Sequence, residues 1–170
     1  VTVSDGWYSG ALFILDGTYY VDKAVIYAGL DKMPETYRVY ASSTLEDLYT
    51  EANMVEDGLV CENNSQEAVI GKEVRYLAVF TTAWTGNARP KEFELWSGDA
   101  SQEFVSENLL RTALDSAKSV SMNAATGAVQ DSNRYTAASL ATVTDGQTDT
   151  HCDVTVSDGW YSGALFILDG

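Results

Sequence analysis

The chain has 170 residues, with 25 acidic and 10 basic side chains and a net charge of −15. Its 45% hydrophobic and 21% charged content is that of a single globular domain, residues 1–170, large enough to bury a core and not disordered. So large an acidic excess excludes nucleic-acid phosphate and anionic membrane surfaces as partners, since both are bound through clustered Lys and Arg, and no apolar run is long enough for membrane insertion.

The first element is also the last. Val1–Gly17 reads VTVSDGWYSGALFILDG and returns without a mismatch as Val154–Gly170, a period of 153 residues. An old duplication would have drifted at surface positions. Two origins remain: a tandem array interrupted within a repeat, or a circular permutation made with an overlap. Within the segment, residues 11–16 form an apolar run between Gly10 and Gly17 that predicts a strand buried on both faces.

Residues 18–29, rich in Val, Ile and Tyr, predict the next strand. In residues 35–42, Tyr37, Val39 and Ala41 alternate with Arg38, Tyr40 and Ser42, the period of a strand. Residues 59–63, 74–82 and 91–98 continue the series, with turn signals at Asp57-Gly58, Gly71-Lys72, Gly86-Asn87 and Arg89-Pro90. Many short strands without alternating helices predict an all-β fold, an antiparallel sandwich. Residues 106–120 carry a helical period through Leu109, Leu110 and Ala113, although residues 119–123 read equally well as a strand. One helical turn is expected within 133–141, then a polar loop rich in oxygen side chains over 144–153. Cys61 and Cys152 either form one disulfide or remain separate thiols.

Read across the repeat, the motifs fall into a familiar order. They are Thr144-Asp145-Gly146-Gln147, then Leu12–Gly17, Tyr37–Ser42, Arg75-Tyr76-Leu77 and Glu92–Gly98. The chain thereby resembles the discoidin domain, the coagulation factor five/eight type C-like fold, and in particular its bacterial branch, the family 32 carbohydrate-binding modules. The resemblance covers nearly the whole 153-residue unit once one circular permutation is allowed, the family order starting near Asn108 and ending near Gly98. It implies a jelly-roll β-sandwich, an extracellular (secreted or cell-surface) protein, and cell adhesion or glycan recognition without catalysis.

The Asp145 loop is the candidate metal site. Calcium takes six to eight oxygen ligands, and Asp145 and Thr150 offer side-chain oxygens while the turn exposes carbonyls such as that of Gln147. The resemblance implies a calcium here, completed by a glutamate of the last strand, which corresponds to Glu92. Gln147 departs from the Asp or Asn common at its position, and an ion-free Asx-turn is the alternative.

Ligand binding is expected from aromatic and polar residues in loops at one end: Trp7 and Tyr8, their twins Trp160 and Tyr161, Trp84, Asn87 and Asp153. Aromatic rings suit the apolar face of a sugar. The Arg and Asn typical of galactose-binding relatives are missing from residues 28–34, so galactose is not implied. Trp96 reads as core. The pair Glu92 and Glu94 lies on one strand face, but as a solvated or metal-facing edge. His151 and Cys152, as neighbours on a strand, point to opposite faces and make no catalytic dyad. Because one sandwich has one place for the repeated strand, the second copy predicts self-association by strand exchange. The alternative function is a structural or assembly module, a tandem adhesin repeat or an engineered strand-swapping permutant, without a small ligand.

Overall fold

The structure, a computed structural model, describes residues 7–28, 35–61, 65–83, 90–98, 108–123, 125–132, 136–147 and 165–167. The strands are β1 (Trp7–Tyr27), β2 (Glu35–Ser42), β3 (Met54–Cys61), β4 (Ser65–Ala83), β5 (Glu92–Ser97), β6 (Leu114–Asn123), β7 (Val129–Asp131) and β8 (Leu165–Ile167). Two short helices, α1 (Leu109–Thr112) and α2 (Ala137–Thr142), flank β6 and β7. All strand pairs are antiparallel except β8 with β1. The fold is all-β, one curled antiparallel sheet. Among the described residues, no helix is long and apolar enough to cross a membrane.

Curling follows from β1 and β4, which run through both halves of the sheet. The first half of β1 pairs with β6, from Trp7 opposite Asn123 to Leu15 opposite Leu114, and on its other edge with the end of β4. Its second half, Tyr19–Tyr27, pairs with the start of β4 and with β5. The register breaks between Ile14 and Tyr19 and again between Val21 and Lys23, and such irregularities bend a strand. Folding over at that bend brings Phe93 on β5 against Phe13 on β1, rings perpendicular at 5.7 Å, and against Tyr37 on β2 at 6.4 Å. Leu15, Ile26, Leu77, Leu95, Leu109 and Leu110 fill the space between the halves. Each such side chain contributes about 1.5–3 kcal/mol on burial.

A second apolar layer covers the opposite face of the first half. Leu12, Tyr40, Ala78, Phe80, Val120 and Met122 point there, beneath the segment between β2 and β3 that carries the fully buried Leu48. Tyr40, Tyr49 and Phe80 meet edge to face at 5.8–6.2 Å. This lid explains why Ala11, Leu12, Phe13 and Leu15 are all buried although neighbours on a strand face opposite ways. It also explains Tyr40, which alternation placed on the outer face and which is nonetheless buried.

Several expectations are corrected. Residues 11–16 and 18–29 are not two strands but the two limbs of β1. Asp57-Gly58 and Gly71-Lys72 lie inside β3 and β4 and not in turns. Gly58 has φ +88° opposite the register shift between Tyr37 and Arg38, so its left-handed backbone serves a bulge. The helix over 106–120 shrinks to one turn, capped by the Asn108 side chain, which accepts from the Leu110 amide at 3.2 Å. Beyond it, residues 114–123 complete the free edge of β1 as β6. Tertiary pairing overrides the local helical period there.

Cys61 is a buried free thiol whose sulfur donates to the Ile26 carbonyl at 3.8 Å. Burial, reinforced by the Glu35 charge, pushes it up to about 12. In a Cys152→Ser background, Cys61 should therefore stay unreactive to Ellman's reagent at pH 8 until the protein unfolds. Rapid labelling of the folded protein would contradict its burial.

Candidate functional site

Glu92 opens β5 and is wholly buried. Three elements converge on it. The Phe93 amide donates to the Val143 carbonyl at 2.8 Å, which docks the end of α2 against β5. The following turn then reaches over Glu92, and the Gly146 amide donates to Glu92 Oε1 at 3.0 Å. From α1, Arg111 Nη2 donates to the Asp145 carbonyl at 2.9 Å. Gly146 has φ +78°, a left-handed backbone that favours glycine, and the Arg111 guanidinium packs directly over the space a Cβ would take. Asp145 Oδ1 accepts from the Gln147 amide at 2.7 Å, an Asx-turn.

Glu92 Oε2 has no hydrogen-bond partner among the described residues. Burial pushes this carboxyl up to about 8, the Asp145 and Glu94 charges add to that, and the Gly146 amide and Arg111 oppose it. A buried carboxylate without a partner is costly. It holds a proton near neutral pH or takes a cation. The oxygens that could take part are the unpartnered Glu92 Oε2 and the carboxylate of Asp145 on the adjoining turn. Arg111, already on the Asp145 carbonyl, supplies part of the same positive charge. Among the described residues no three His, Cys, Asp or Glu side chains form a ready metal cluster, and Thr150 lies outside them.

Beside Glu92, on the outer face of the β4–β1–β5 half, lies an open groove of about 370 Å³. Alternation along β1 and β5 lines it with Lys23, Tyr27, Glu94 and Trp96, while Asp22 and Glu67 complete its wall. Glu94 Oε2 accepts from Trp96 Nε1 at 2.9 Å and from the Tyr27 hydroxyl at 3.3 Å, fixing both rings. Lys23 pairs with Glu67 at 2.5 Å. Trp96 is thus half-buried at the groove and not core. Its place was legible: Phe93 and Leu95 face inward, so Glu94 and Trp96 must face out.

Of the residues expected to bind ligand, Tyr8 is half-buried on the first limb of β1, packed on the Leu12–Phe80 layer with the Arg38 guanidinium 5.4 Å above its ring. The backbone of Trp7 pairs with Asn123. Trp84, Asn87, Asp153, Trp160 and Tyr161 lie outside the described residues, as do His151 and Cys152. No protein-family model, curated protein or solved structure matches the chain.

Proposed function

We infer that the chain is a non-catalytic binding module of a secreted protein, a circularly permuted discoidin-like jelly roll that carries calcium at Glu92 and Asp145 and takes a carbohydrate in the adjoining groove. The observation that carries this reading is the pairing of a wall-mounted indole with the carboxylates of the groove. Trp96 offers an apolar face for the C–H side of a sugar, and Asp22, Glu67 and Glu94 offer acceptors for its hydroxyls.

A glycan array probed in calcium tests it. Binding to a glycan class is expected, with at least a tenfold loss in Trp96→Ala and unchanged circular dichroism. Silence of the folded wild-type protein across the array overturns the carbohydrate reading.

The second reading, an assembly module built from tandem repeats, draws on a different observation. After 153 residues the chain returns to the same residues of β6, since β8 pairs with the same three positions as its twin in β1. A repeat that re-enters an identical register is what an array of such units requires.

A further inference from the structure

Both copies of the repeated segment address one place. In β1, Leu12, Phe13 and Ile14 pair with Lys118, Ala117 and Ser116 of β6. In β8, Leu165, Phe166 and Ile167 pair with the same three residues. Leu12 and Phe13 also lie abreast of their own twins, Leu165 and Phe166. Three strands cannot each neighbour the other two at the same residues of a sheet, because a strand has only two hydrogen-bonding edges. That place on β6 therefore holds one copy of the segment at a time.

The repeat ends where an exchange can end. Gly17 falls at the bend of β1, within the break in register between Ile14 and Tyr19. The limb from Tyr19 to Tyr27 keeps its own pairing with β4 and β5 whichever copy fills the first limb. The first limb can therefore leave without disturbing the second.

We propose that the channel between β4 and β6 is an exchangeable strand-acceptor site. It is filled in cis by the first limb of β1 or by the identical later copy, whose Leu165–Ile167 already meets β6, and in trans by the surplus copy of a second molecule of this chain. Every donor offers the same side chains, because the sequences are the same. Filling a slot from another chain buries no additional strand, so it competes with the tethered donors only near their effective concentration, about millimolar. At micromolar concentration the exchange is internal. The inference holds whether or not the groove binds a ligand.

Substitution at one buried ring separates the frames. Phe13→Ala disables the first donor and leaves the second whole, and Phe166→Ala does the reverse. Each single variant should lower the folding equilibrium constant only by about twofold, the loss of one of two equal frames, in denaturant unfolding of the full chain at micromolar concentration. The double variant should lower it by about a thousandfold, as expected for a buried Phe truncated to Ala. A thousandfold loss in either single variant overturns the proposal, because the slot then has one owner or needs both copies.

Discussion

Phe93→Ala should cost about 4 kcal/mol of folding free energy in denaturant unfolding, with no copy elsewhere in the chain to replace it. Phe93 is wholly inside, at 2% exposure, and its ring is the keystone between the limbs of the sheet, touching Phe13 from the first half and Tyr37 from β2 edge to face. Truncation removes both ring contacts and leaves a cavity that neither rigid half can close. The contrast with Phe13 sharpens the test. The two rings share one contact and similar burial, yet the twin at Phe166 should make the first substitution nearly silent and the other severe. A loss below about 1 kcal/mol at Phe93 would mean that the two halves do not close on that ring.

The second large effect is in pH. Glu92 is raised in the folded protein from 4.5 to about 8, so the folded state binds its proton more tightly than the unfolded state does. Stability from this group is fully present below pH 4.5 and is lost as pH rises toward 8. The wild-type protein should therefore lose about 3 kcal/mol across that window relative to Glu92→Gln, which keeps an acceptor for the Gly146 amide and has no proton to lose. The measurement is the difference in unfolding free energy between the two proteins at pH 5 and pH 8. Millimolar calcium at pH 8 should recover part of the wild-type loss and leave the variant unchanged, because the ion needs the charged carboxylate. Parallel pH profiles for the two proteins would show that Glu92 ionises freely.

Strand positions were legible because alternation reports faces directly. Tyr37, Val39 and Ala41 lie inward in β2 as the sequence pattern requires, and Leu12, Phe13 and Leu15 are buried on both sides of their run with Ile14 half-buried. What alternation does not report is what lies above a face, so the lid bearing Leu48 and the burial of Tyr40 were invisible. Gly58 and Gly71 were misread because a left-handed glycine serves a bulge as well as a turn, and the choice depends on a partner strand distant in sequence. The candidate site was half legible. Glu92 and Asp145 were found, whereas Arg111 sits on a single helical turn with no pattern of its own. The groove needs β4 and β5 on either side of β1, and only the outward spacing of Tyr27, Glu94 and Trp96 hinted at it.

The bend of β1 at Gly17 gives the molecule a memory of how it was made. Lys118 lies more than twice as far along the chain from Leu12 as from Leu165, so in a fully unfolded chain the late copy closes the shorter loop onto β6. During synthesis the order reverses. The early copy is waiting when β6 emerges, and the late copy does not yet exist. Newly made molecules thus start in the early frame, whereas refolding favours the late frame by about threefold, and the two populations differ until the first limb has had time to detach.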